Sequence, residues 1–226
     1  MVVETGISGL VWIDEVGGRL ATINKTPGIS YYKEEIRKIN NVEYRIWNPY
    51  KSKLSAAFLK GLELDVLNEV KKILYLGAST GTTISHLSDI LPSDGVIYAV
   101  EVAPRVMMEF INRIVKNRNN VIPLFYDARM PENYIDIVDV DVDMVYCDVA
   151  QPDQTKIALD NADTYLKPGG KILLAIKARS IDAVKPLKQI YENEVKEIRK
   201  RGYKIVKLID LEPFEKEHAM VYALKE

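Results

Sequence analysis

Five polar side chains stand where extended apolar runs of this chain begin or end, and a sixth lies in the segment that leads into them. Glu101 follows Val96–Val100, Asp127 follows Val121–Phe125, and Asp148 closes Val142–Asp148. Carboxylates in such places accept hydrogen bonds from hydroxyl and amino groups and draw in cations. Lys177 closes the run Lys171–Lys177, His218 opens His218–Leu224, and Lys53 lies just after Asn48-Pro49. A lysine serves as a base only where burial or a second cation lowers its pKa, and otherwise it positions anions. An imidazole can accept or relay a proton near neutral pH. Each residue alone has a plain reading: lysines at strand ends are usually solvated, and a lone histidine is usually a surface residue. His86 reads as structural or exposed, Cys147 as buried packing, and Met107 and Met108 as helix packing.

The three acids gain meaning from the turn Gly77-Ala78-Ser79-Thr80-Gly81-Thr82-Thr83, which follows the apolar run Ile73–Leu76. Gly77 and Gly81 let backbone approach a ligand closely. Thr82 and Thr83 open the next helix and are expected to turn amides and hydroxyls toward the crevice. Ser79 occupies the place of the middle glycine of a dinucleotide fingerprint, so a pyrophosphate is not favoured. Glu101, twenty residues beyond Gly81, is placed to accept both ribose hydroxyls of an adenosine group, with Val102 beside it. Asp127 can accept from an adenine amino group while the Ala128 amide serves a ring nitrogen. Asp148, Val149, Ala150 and Gln151 complete the expected wall. S-adenosylmethionine lacks a pyrophosphate and carries two cationic groups, which suits this acidic crevice better than a nicotinamide cofactor does.

The elements needed to hold these residues are legible as well. From Lys72 onward, apolar runs alternate with helical segments: about Ile84–Leu91, from Pro104, Gln154–Leu166 and Ala183–Arg201. Tyr203–Asp210 and His218–Leu224 close the chain as two strands expected to pair antiparallel. Such alternation predicts an α/β, Rossmann-like parallel sheet, with ligands bound along the edge formed by the strands' C-terminal ends. Lys167-Pro168-Gly169-Gly170 supplies the turn before the fifth strand, a feature resembling the large methyltransferase superfamily. Residues 1–50 read instead as a small β-rich domain, with Val11–Ile13 and Leu20–Ile23 flanking Gly17-Gly18 and an alternating strand at Val42–Trp47. Residues 51–226 form the second domain, opened by a helix with Ser52 as its expected N-cap and Leu54, Phe58 and Leu62 on one face.

Composition narrows the classes. The formal net charge of −1 gives no global attraction to nucleic acid or membrane. Residues 1–60 carry a small excess of positive charge, compatible with phosphate contacts near Arg45, Lys51 and Lys53. A single cysteine excludes an intramolecular disulfide, and no apolar run is long enough to span a bilayer. A soluble, cytoplasmic protein without a metal site is expected.

Five segments resemble the fibrillarin family: Trp47–Leu54, Gly77–Thr83, Asp148–Gln154, Ile176–Arg179 and Glu217–Val221. The run Asp148-Val149-Ala150-Gln151-Pro152-Asp153-Gln154 is the most specific, and the likeness extends over the whole chain. The lack of a Gly/Arg-rich stretch before the β-rich start makes it similar to the archaeal form. The resemblance implies an RNA ribose 2′-O-methyltransferase that acts on rRNA and tRNA in box C/D ribonucleoproteins, where a guide RNA selects the target. It implies a Nop-domain scaffold protein and a kink-turn-binding ribosomal-type protein as partners. It also implies a Lys-Asp-Lys-His set, falling here on Lys53, Asp148, Lys177 and His218. The chemistry agrees: Lys177 is a candidate base, Lys53 a second cation or phosphate holder, Asp148 an orienting group, and His218 a ribose-orienting or proton-relaying group. A methyltransferase for small molecules or protein side chains would share the cofactor site without needing the lysines. A binding module without catalysis would need neither.

Overall fold

The computed structural model describes residues 1–15 and 17–226. The chain opens with strands β1 (Val2–Glu4), β2 (Leu10–Ile13), β3 (Arg19–Ile23), β4 (Ile36–Ile39) and β5 (Val42–Ile46). They form an antiparallel sheet in the order β1-β2-β3-β5-β4. Helix α1 (Lys53–Leu59) then leads into β6 (Lys72–Leu76), α2 (Thr82–Ile90), β7 (Val96–Val100), α3 (Pro104–Arg113) and β8 (Val121–Leu124). The second half comprises β9 (Val142–Cys147), α4 (Gln154–Tyr165), β10 (Leu166–Lys177), α5 (Ala178–Ile181), α6 (Leu187–Lys200), β11 (Tyr203–Asp210) and β12 (His218–Lys225).

The seven later strands are ordered β8-β7-β6-β9-β10-β12-β11. β6 through β10 run parallel, and β12 is antiparallel to both its neighbours. Strand order reverses between β6 and β9, so their C-terminal ends open a crevice where no crossover covers them. Side chains alternate between two cores because successive residues of a strand face opposite sides. Ile73, Tyr75, Met144 and Tyr146 join one core, while Leu74, Leu76, Val145 and Cys147 join the other. The first core also takes in Leu10, Leu20 and Trp47, so the N-terminal sheet is packed onto the larger one through shared apolar contacts.

Several local expectations are revised. Leu166 does not end a helix: it already pairs with Val142, and an irregularity between Leu166 and Lys171 absorbs the Pro-Gly-Gly turn. The expected helix Ala183–Arg201 starts only at Leu187. Asp182 accepts the amides of Val184 and Lys185, which fixes a turn, and Pro186 precedes the helix as its N-cap residue. Ser52 does stand at the N-cap of α1 but makes no capping bond; its hydroxyl meets that of Thr83 at 2.9 Å.

Arg45 is not a phosphate contact. It is fully buried, with Nε donating to Glu34 at 2.6 Å and Nη1 to Asp89 at 2.7 Å. Its guanidinium also lies 4.6 Å from the centre of the Tyr31 ring, which Arg118 approaches at 4.8 Å. A charge this deep persists only when paired. His86 is equally buried: Nδ1 meets the Thr22 hydroxyl at 2.8 Å, and its ring stacks on Trp47 with centroids 4.9 Å apart. Because Thr22 donates its own proton to Asp89, the Nδ1–H of His86 is the donor, and Nε2 accepts from the Tyr32 hydroxyl. Burial first, then Arg45 and Arg118, hold the His86 pKa well below its usual value.

Candidate active site

The turn after β6 is shaped by two glycines in the left-handed region. Gly77 has φ +81°, and a Cβ there would stand 2.9 Å from the Asp148 carbonyl oxygen. Gly81 has φ +86°, and a Cβ there would collide with Ile114 Cγ1 and the Phe110 ring. The first glycine lets the turn lie against the end of β9, and the second lets α2 begin tight against α3. A cavity of about 360 Å³ opens beside this turn.

The structure gathers most of the expected cofactor residues around that cavity. Gly77, Glu101, Val102, Asp127, Ala128, Asp148, Val149, Ala150 and Gln151 all line it. Thr82 and Thr83 are not among its lining residues. Thr83 is buried and its hydroxyl is taken by Ser52, so it braces α2 against the start of α1.

Glu101 is locked before any ligand arrives. Its Oε2 accepts the Ser79 amide at 2.9 Å and its Oε1 the Ala103 amide at 2.9 Å. Each oxygen keeps lone-pair capacity for a further donor, such as a ribose hydroxyl. Asp127 similarly accepts the Arg129 amide at 2.9 Å. Arg129, which the sequence did not single out, donates to both oxygens of Asp153, at 3.0 and 2.9 Å, and to Gln151 Oε1 at 2.7 Å. It therefore ties the loop after β8 to the loop after β9 across one end of the cavity.

At the other end, Asp148 and Lys177 line the cavity; Lys53 reaches Asp148 without lining it, and His218, also outside the lining, is brought alongside by strand pairing. Lys177 Nζ lies 3.0 Å and Lys53 Nζ 3.3 Å from Asp148 Oδ1. These contacts pair charges but lack hydrogen-bond geometry at Oδ1. The directed bond of Lys177 goes instead to the Asp148 carbonyl oxygen, at 2.6 Å. The side chains of all three are under a fifth exposed, so their attraction is only partly screened. Lys177 and His218 are directly opposite each other in the β10–β12 pairing. His218 Nδ1 lies 2.6 Å from the Lys216 carbonyl oxygen. A carbonyl can only accept, so Nδ1 carries a proton, and when the ring holds that proton alone Nε2 is its acceptor.

Gln154 is the positioning residue that sequence reasoning quoted in a motif but gave no role. It is fully buried. Its Oε1 accepts the Lys177 amide at 2.8 Å, and its Nε2 donates to the Gln151 carbonyl at 2.9 Å and the Lys177 carbonyl at 3.3 Å. One side chain thus sews the end of β10 to the loop after β9. Cys147, next to Asp148, is buried, and burial pushes its thiol up to about 12, which removes it as a nucleophile.

Comparison with known proteins places the chain in a family. The fibrillarin family model matches residues 4–226. A fibrillarin-like rRNA/tRNA 2′-O-methyltransferase of Pyrobaculum calidifontis is 50% identical over 92% of this chain and 88% of its own length. The crystal structure of Aeropyrum pernix fibrillarin with natively bound S-adenosyl-L-methionine has a TM-score of 0.87 at 45% identity, covering 99% of this chain and 97% of that one. A fibrillarin from a fibrillarin/Nop5p complex gives a TM-score of 0.86 at 36% identity, covering 99% of this chain and all of its own. With the match running over nearly every residue that shapes the crevice, the chain belongs to the fibrillarin family.

Proposed function

We propose that this chain is an S-adenosylmethionine-dependent RNA ribose 2′-O-methyltransferase that modifies rRNA and tRNA within a guide-RNA, box C/D ribonucleoprotein. The observation that carries this reading is the joining of two sites. A cavity lined by Glu101 and Asp127 adjoins a carboxylate held by two lysines, with an imidazole opposite one of them.

The residues suit the cofactor. Glu101 would accept from the ribose hydroxyls and Asp127 from the adenine amino group, with the Ala128 amide offered to a ring nitrogen. The space above Gly77 that a Cβ would fill keeps the turn close to Asp148. When bound, S-adenosylmethionine supplies a methyl group activated by its positive sulfur. Asp148 holds Lys53 and Lys177 at the mouth of the cavity, where two ammonium groups would grip the RNA backbone and stabilise negative charge growing on the 2′-oxygen. Lys177 Nζ is engaged as a donor to the Asp148 carbonyl, so it is poorly placed to accept a proton. His218 Nε2 is the free acceptor of this group, and we assign it the 2′-hydroxyl proton. Lys53, Asp148 and Lys177 align and stabilise; His218 is the base.

A Nop-domain scaffold protein and a kink-turn-binding protein would present the guide–target duplex, since the near-neutral chain offers little nonspecific attraction of its own. The test is reconstitution with guide RNA and both proteins, followed by mapping of methylated riboses. Single-turnover rates of Lys177→Arg and His218→Gln then assign the base. A guanidinium cannot accept the proton, so under this reading Lys177→Arg keeps more activity than His218→Gln, which loses about 10²–10⁴-fold. Normal turnover by His218→Gln with a dead Lys177→Arg would return the role to the lysine. Transfer to small acceptors but not to guided RNA would overturn the reading.

A further inference from the structure

Arg179 and Glu217 belong to the segments that flank the chemical set, yet neither faces the cofactor cavity. Arg179 lies two residues past Lys177, and Glu217 directly precedes His218. Arg179 Nε donates to Glu217 Oε1 at 2.8 Å, and its Nη1 donates to the carbonyls of Ala183 and Lys185 at 3.2 and 3.0 Å. The backbone repeats the link, with the Ala178 amide donating to the Glu217 carbonyl at 3.2 Å. Glu217 itself has φ +59°, the left-handed region that a side-chain-bearing residue enters only when its surroundings hold it there. That turn brings the Lys216 carbonyl back over the imidazole, within 2.6 Å of His218 Nδ1.

From this geometry we propose that the Arg179–Glu217 pair is a positioning strap for His218, resting on the assignment of His218 as the base. By anchoring Glu217 to the α5 turn, the pair holds the left-handed residue, the residue holds the Lys216 carbonyl, and the carbonyl fixes the proton on Nδ1. A free neutral imidazole favours the proton on Nε2, so the protein must impose the opposite tautomer to leave Nε2 as acceptor toward the ribose. The pair is partly exposed, at 37% and 42% for the two side chains, so its global contribution to stability is small. Its effect is therefore expected in local geometry and rate, not in melting temperature.

The test compares Glu217→Gln, Arg179→Lys and Glu217→Gly with the parent chain. Nitrogen-detected NMR of the imidazoles reads the tautomer in the free protein, where His86 is the only other histidine and is buried. Calorimetry with S-adenosylhomocysteine reads the cofactor site, and single-turnover methylation in the reconstituted particle reads the chemistry. The expected result is a loss of the Nδ1–H form of His218 and a roughly tenfold slower step, with unchanged affinity and melting temperature. Arg179→Lys should be intermediate, because a lysine keeps the charge but cannot also hold both carbonyls. Glu217→Gly relaxes the backbone strain while removing the pair, so it should be slow if the pair matters. Parent-like tautomer and rate in Glu217→Gly and Glu217→Gln would overturn the strap, as would an equal loss of cofactor affinity. A parent particle that fails to methylate RNA would instead sink the functional reading, leaving the NMR result to judge the strap.

Discussion

Replacing Glu101 by glutamine is nearly isosteric, yet the structure makes it a severe change. Both carboxylate oxygens already accept a backbone amide, Ser79 on Oε2 and Ala103 on Oε1. A glutamine has one oxygen and one NH₂ group, so either orientation sets two donors face to face. One backbone amide is then left without its acceptor, at a cost of about 1–3 kcal/mol. The residue is only half-buried, so water relieves part of that cost, and the lower half of the range applies. One ribose hydroxyl also loses a charged acceptor, worth a further ~1 kcal/mol after allowance for exposure. The unpaired amide weighs on the free and the bound chain alike and so lowers stability; the lost ribose acceptor alone, about 1 kcal/mol, lowers affinity, by roughly fivefold. Calorimetric titration of the free chain with S-adenosylhomocysteine, at fixed salt, measures it directly. An affinity within about threefold of the parent would refute the claim that Glu101 is a preset ribose acceptor. A parent-like melting temperature in the unliganded variant would show that the amides find other partners.

Gly81→Ala should destabilise the fold by more than about 3 kcal/mol, since its Cβ would enter the space of Ile114 and Phe110 and the backbone is left-handed; chemical denaturation measures the loss. Gln154→Leu should leave the amide of Lys177 and the carbonyl of Gln151 unpaired in a buried site, costing about 2–3 kcal/mol. The same variant should slow single-turnover methylation more than it weakens cofactor binding, because it loosens Lys177. For pH, the folded chain keeps His86 neutral while the unfolded chain protonates it below about 6.5. The unfolded state then binds the extra proton, so stability is full above that pH and falls as the pH drops below it, by up to about 1.4 kcal/mol per unit. Denaturation between pH 7 and 5 should show this slope in the parent and a shallower one in His86→Gln.

The order of strands and helices was open to reading because the central strands of the large sheet, such as β6 and β7, are nearly continuous apolar runs, as burial on both faces demands. The acids at the ends of β7, β8 and β9 were readable for the same reason: a polar residue that closes such a run lies at the sheet edge. What escaped were features set by partners far along the chain. In β5, Arg45 alternates with apolar neighbours and so reads as solvent-facing, but α2 covers that face and supplies Asp89 and the Ser85 carbonyl. Strands β1 and β4 are too short, at three and four residues, to show a period, and pairing with β2 and β5 defines them. The Thr83 hydroxyl was assigned to the crevice because its partner, Ser52, comes from the region before the sheet. Gln154 and Arg129 each bridge loops over 20 residues apart, and no local pattern announces such a bridge.

The arrangement of charge explains why cofactor and RNA can share one crevice. Glu101 and Asp127 hold negative charge at the far end of the cavity, where a neutral adenosine needs acceptors more than it needs countercharge. At the near end, one carboxylate faces two ammonium groups, so Asp148, Lys53 and Lys177 together carry a single positive charge. That excess does not favour a cationic sulfur, but it favours a phosphate and a 2′-oxygen becoming negative. Under the proposed assignment of the base, that oxygen would gain charge, as its proton leaves for His218, at the place where the lysines can answer it. Removing Asp148 would free both lysines and worsen the repulsion of the cofactor at once. Under this reading a single aspartate, which lines the cavity and also pairs with both lysines, would couple the affinity of one ligand to the reactivity of the other.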